Sequence, residues 1–116
     1  MEWTAWNNRA WNESGAGYGL KVPIADRDAH FSRSSASVII ELPTPSGVLE
    51  VSVGTAKPSF WNDTCHELIS KEIGKWLIDS GLAPWKKGKP PHLEVEMVDA
   101  GRFRLVAPGG ADDSGL

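Results

Sequence analysis

Residues 63–84 read DTCHELISKEIGKWLIDSGLAP, and the way this stretch folds decides what the rest of the chain can pack against. Cys65, Leu68, Ile69, Ile73, Trp76 and Leu77 recur at intervals of three and four, the spacing that draws one apolar stripe along an α-helix. Lys71, Glu72, Lys75 and Asp79 fall mostly on the other side. Thr64 with Glu67 has the form of a capping box, in which hydroxyl and carboxylate each satisfy one orphan amide; Ser59 is a competing start. At the far end Gly81 can take the left-handed conformation, Leu82 can fold back on Leu77, and Pro84 forbids continuation. The pattern predicts one long helix over 64–80 whose apolar side lies on a sheet. Gly74 costs about 1 kcal/mol relative to Ala inside a helix, so it marks close approach of another backbone.

Two hairpins flank that segment. Downstream, Leu93, Val95 and Met97 alternate with Glu94 and Glu96, and after Asp99-Ala100-Gly101 the pattern resumes with Arg102 to Leu105. A three-residue loop ending in Gly suits a type I turn with a bulge, pairing Met97 with Phe103 inside and Glu96 with Arg104 outside. Upstream, Val38–Leu42 and Val48–Val53 join through Thr44–Gly47, matching Leu42 with Leu49, Ile40 with Val51 and Val38 with Val53. That register opposes Glu41 to Glu50, which is destabilising, so either the register differs or a cation sits near them. Tyr18, Leu20 and Val22 read as a strand stopped by Pro23, and Trp3–Trp6 with Ala10–Asn12 as a short hairpin turning at Asn7 and Asn8. Residues 25–37 read as a long loop. The fold class expected is α+β: an antiparallel or mixed sheet of about five to six strands, covered by the 64–80 helix and ending in a β-hairpin.

Gly17-Tyr18-Gly19-Leu20-Lys21-Val22, Asp26-Arg27-Asp28 followed by Phe31, Phe60-Trp61 with Cys65 and Glu67, and Gly81-Leu82 leading to Pro84-Trp85 and Pro90-Pro91 carry a likeness over most of the chain. In these features it resembles a group of small bacterial proteins of uncharacterised function. The resemblance implies no activity and no functional residues.

Composition bounds the rest. A chain of 116 residues, 41% hydrophobic and 23% charged, closes one core without disulfides, here taken as a single domain over 1–107 with a flexible tail at 108–116. The formal charge of -3 includes Asp112 and Asp113, so the body is nearly neutral. That argues against a nucleic-acid partner gripped mainly through its phosphates. No stretch reads as a secretory leader or a membrane span, and with Cys65 the only cysteine no intrachain disulfide forms, which fits a cytoplasmic protein.

Six tryptophans are more than a core of this size requires. Trp76 belongs to the core by its position in the apolar stripe, with Trp61 beside it, whereas Trp3, Trp6, Trp11 and Trp85 are candidates for an exposed aromatic surface. Trp85, Lys86, Lys87 and Lys89 make a compact aromatic and basic loop that can stack a ring and hold a phosphate, or serve as a solvated connector. The reading favoured is a non-enzymatic binding domain, with Trp3, Trp6, Trp11, Trp85, Lys86 and Lys87 as binding residues. Its partner is another protein or a second copy.

The alternatives use other residues. Asp26, Asp28 and His30 sit at every second position, so an extended segment would send all three to one side, where Mn, Fe or Zn could bind with His66 or His92 as a fourth ligand. That set would suit a small metal-dependent hydrolase; the competing reading is a polar loop whose acids pair with Arg27 or Arg33. Cys65 in the first turn of the helix would be an activated nucleophile with His30 or His92 as base, His66 being displaced around the helix, or else an inert buried thiol. A weak nucleic-acid module around Trp85–Lys89 is the remaining alternative. Gly15-x-Gly17-x-Gly19 lacks the strand before and helix after that a phosphate cradle needs, and reads as a turn. Glu41, Glu50, Glu94 and Glu96 read as charges on the outer sheet face or as paired acids for acid–base work. No cofactor is implied.

Overall fold

A computed structural model describes residues 1–106. The 108–116 tail lies outside the described residues. Seven strands form one sheet: β1 (Glu2–Asn7), β2 (Tyr18–Lys21), β3 (Ser37–Thr44), β4 (Gly47–Gly54), β5 (Glu67–Ile69), β6 (His92–Asp99) and β7 (Arg102–Leu105), in the order β4-β3-β7-β6-β1-β2-β5. Every neighbouring pair is antiparallel except β3 with β7. The sheet curls until its edge strands β4 and β5 come within contact, giving a nearly closed barrel. Two short helices, α1 (Ile24–His30) and α2 (Lys71–Asp79), complete the fold with a 3-10 turn at Pro58–Trp61.

The long helix over 64–80 does not exist, and a sheet covered by one such helix is therefore corrected to a mainly β, barrel-like architecture. Glu67, Leu68 and Ile69 extend instead and pair with Lys21, Leu20 and Gly19 of β2. Two residues of the apparent stripe, with the expected capping glutamate, thus satisfy their backbone along a sheet edge, which a helical reading would have left open. The helix starts about two turns later, where the Ser70 hydroxyl accepts a 3.2 Å bond from the Ile73 amide. Its end is as expected. Gly81 has φ 77° and the Leu82 amide donates to the Leu77 carbonyl, a Schellman closure.

Both hairpins keep their expected registers: Leu42 faces Leu49, Ile40 faces Val51, Met97 faces Phe103, and Glu96 faces Arg104. Phe103 is sealed, whereas Met97, beside the bulge before Asp99, is 41% exposed. The opposed Glu41 and Glu50 are reconciled by a cation: Arg102 Nη1 donates to both carboxylates at 2.8 Å, and Arg104 Nε donates to Glu41 at 2.8 Å. Two further expectations fail. Residues 10–12 form no strand, since β1 runs on to Asn7 between β6 and β2, and the loop expected over 25–37 contains α1.

Inside the barrel, Trp3 and Phe103 meet at 5.2 Å, with Phe31 stacked on Phe103 at 4.8 Å and Phe60 against Phe31. α1 is fastened to this aromatic centre by Arg27, buried to 2% exposure, which donates to the Phe60 and Asn62 carbonyls. Gly15 and Gly74 touch backbone to backbone: a Cβ on Gly74 would lie 2.2 Å from the Gly15 carbonyl oxygen. That contact seats the 8–17 loop on α2, as the position of Gly74 suggested.

Candidate functional site

The six indoles divide by what surrounds them. Trp61 Nε1 donates to Thr55 O, and Trp76 Nε1 to Pro43 O. Trp3 is fully buried, its Nε1 without a partner. This corrects its assignment to a displayed surface: strand alternation places Trp3 with Ala5 on the interior face of β1 and turns Trp6 outward, opposite Gly19. Trp11 is 44% exposed, and Trp6 and Trp85 are half-buried. None of these three makes an indole hydrogen bond among the described residues.

Trp6, Trp11 and Trp85 come together although 79 positions of sequence separate the outer two. β1 carries Trp6. The chain then turns at Asn7 and Asn8, whose side-chain oxygens accept from the amides of Arg9 and Ala10, each closing a local turn. Arg9 takes φ 77° at this turn, and Asn8 is tied to Gly17. Trp11 therefore lies over Tyr18, with ring centres 5.9 Å apart. From the other side, the Schellman end of α2 delivers Trp85 against both rings, 4.9 Å from Trp11 and 5.9 Å from Tyr18, each edge to face. Burial pushes the Tyr18 phenol above its ordinary pKa. The Trp85–Pro91 loop is anchored by the Ala5 amide bonding to Pro91 O.

Two adjoining cavities open on this cluster. One, of about 390 Å³, lies between Trp6, Trp11, Trp85 and Asn7; the other, about 550 Å³, lies between Trp11, Trp85 and Pro84. Arg9 and Lys87 border both. Neither cation has an ion-pair partner among the described residues, whereas Lys75 beside a third cleft, about 360 Å³ between α2 and the β3–β4 turn, is paired with Asp79. Lys86 is exposed on the same loop but lines neither cavity. The sequence pointed to Trp6, Trp11, Trp85 and Lys87. It did not point to Arg9, Asn7 or Tyr18, which enter through the turn after β1 and the β1–β2 pairing.

The other candidate residues are dispersed. Asp26, Asp28 and His30 lie on α1, so successive members are about 200° apart around the axis and do not share a side as they would in a strand. Asp28 pairs with Arg27 at 3.0 Å, and His92 contacts Glu2 at 3.4 Å. No three His, Cys, Asp or Glu side chains gather in a metal-holding group among the described residues. Cys65 precedes β5 in a turn, not in a helix, so the helix-dipole argument for an activated thiol loses its basis; its amide donates to Asn62 Oδ1. His66 Nδ1 bonds the Val22 carbonyl and straps the end of β2. Gly15 and Gly17 have φ 91° and 82°, the turn role expected of them. No helix among the described residues is long and apolar enough to cross a membrane. No family model, curated protein or solved structure matches this chain.

Proposed function

We propose that this chain is a non-enzymatic cytoplasmic binding domain whose contact surface is the groove of Trp6, Trp11 and Trp85, rimmed by Arg9 and Lys87. The observation that carries the reading is the contrast among the indoles. Trp3, Trp61 and Trp76 are sealed or hydrogen-bonded within the fold, while three others converge at the surface with their N–H groups free of acceptors among the described residues. Exposed, clustered Trp beside Arg is the composition of recognition centres, because rigid rings bury much area with little loss of side-chain freedom. The resemblance to small bacterial proteins of uncharacterised function adds no activity to this reading.

Indole N–H resonances test it directly, one per tryptophan. Titration with a proline-rich peptide, an oligosaccharide and a short oligonucleotide is expected to move the Trp6, Trp11 and Trp85 signals with at least one probe and to leave Trp3 unmoved; Trp11→Ala is expected to weaken the response. Sedimentation of wild type and Trp11→Ala covers the case of a second copy as partner. Silence of all probes, with identical monomeric sedimentation, refutes the reading.

A further inference from the structure

Arg9 and Lys87 stand on the common border of the two aromatic cavities, so a ligand spanning both would pass its middle beside two cations that have no ion-pair partner among the described residues. We propose, on the basis of the binding role above, that the groove takes a dinucleotide step of single-stranded nucleic acid, one base in each cavity and the linking phosphate at the Arg9–Lys87 border. Both cavities have Trp11 and Trp85 as walls, and at about 390 and 550 Å³ each is large enough for one ring system. Bases stack on such rings whatever their identity, since every base has a π-face.

Charge fixes the scale of the contact. Lys86 and Lys89 share the Trp85 loop with Lys87, but the chain as a whole is mildly acidic, so the groove can neutralise one or two phosphates and no long backbone. A shallow salt dependence is the result, with a slope near -0.7 in log K against log salt per neutralised phosphate, well below that of a duplex-binding protein. A mononucleotide fills one cavity only. An acidic, proline-containing peptide is the competing occupant.

The test titrates the full chain with trithymidylate, thymidine monophosphate and an abasic trimer of the same charge, read by tryptophan fluorescence and the indole N–H signals. The expected result is quenching by trithymidylate, binding at least about tenfold tighter than the monophosphate, and no response to the abasic trimer. Trp11→Ala, at a ring 44% exposed and outside the sealed core, is expected to weaken binding about tenfold with the Trp3 indole signal unmoved, and Lys87→Glu to weaken it at low salt and flatten the salt slope. Equal affinity for monophosphate and trimer, or unchanged binding by Trp11→Ala, overturns the proposal. Should trithymidylate be silent while the peptide or oligosaccharide moves the same three signals, the nucleotide assignment fails and the binding role stands; silence of every probe, with identical monomeric sedimentation of wild type and Trp11→Ala, removes both.

Discussion

Gly74 shows how one missing side chain can outweigh a local propensity. Replacing it with Ala gains about 1 kcal/mol of helix propensity, yet the new Cβ would sit 2.2 Å from the Gly15 carbonyl oxygen and 2.6 Å from Tyr18 Cβ. Backbone cannot yield as a flexible side-chain tip does. Gly74→Ala is therefore expected to lower stability by about 1–3 kcal/mol, measured as a fall in the denaturant midpoint at unchanged slope. At this scale the sequence was informative wherever a residue type constrains its own backbone or its direct neighbour: Gly74 and the turn glycines were legible, and the opposed Glu41 and Glu50 left a choice between a shifted register and a nearby cation that Arg102 resolves. It was uninformative where a residue's direction depends on the element it joins. Asp26, Asp28 and His30 share a side only in an extended chain, and Arg27, read as a loop charge, is a buried clamp.

Among the elements, the 63–84 stretch separates two kinds of signal. The stop signals Gly81, Leu82 and Pro84 act within one turn and were read correctly. The start was not, because Thr64-x-x-Glu67 and Ser70-x-x-Ile73 are rival caps and periodicity alone does not choose between them. Availability of the β2 edge decides, and that is a tertiary fact. Ser70→Ala is accordingly expected to cost about 1 kcal/mol of thermal stability, and Thr64→Ala less than about 0.5 kcal/mol. Equal losses at the two positions would place the helix start elsewhere. Alternation within β1 is the overlooked signal for the site: once residues 2–7 are one strand, Trp3 and Trp6 cannot share a face.

For the molecule as a whole, hairpins were legible and their assembly was not. Registers follow from side-chain pairing within each hairpin, whereas the parallel docking of β3 on β7 and the insertion of β1 between β6 and β2 join segments far apart in sequence. The Glu41 cluster spans one of these distant joints, linking β4, β3 and β7 through Arg102 and Arg104. Hydrogen bonds from Arg102 and then Arg104 hold the Glu41 carboxyl below its ordinary pKa. The folded state thus binds this proton less readily than the unfolded chain does. Its stabilisation is complete above the unfolded value, about pH 4.3, and is lost as pH falls through the lower folded value. Glu41→Gln is expected to be less stable than wild type at neutral pH and to lose less stability on acidification below about pH 4; parallel acid-unfolding curves would refute the role.

The seating of Gly15 on α2 has a mechanical consequence for the proposed recognition. The jaw that bears Trp11 borrows its stiffness from a helix that no guest would ever meet. An injury confined to that helix should therefore surface as a slacker grip, with faster escape of whatever is held, although every atom that meets the guest is still in place.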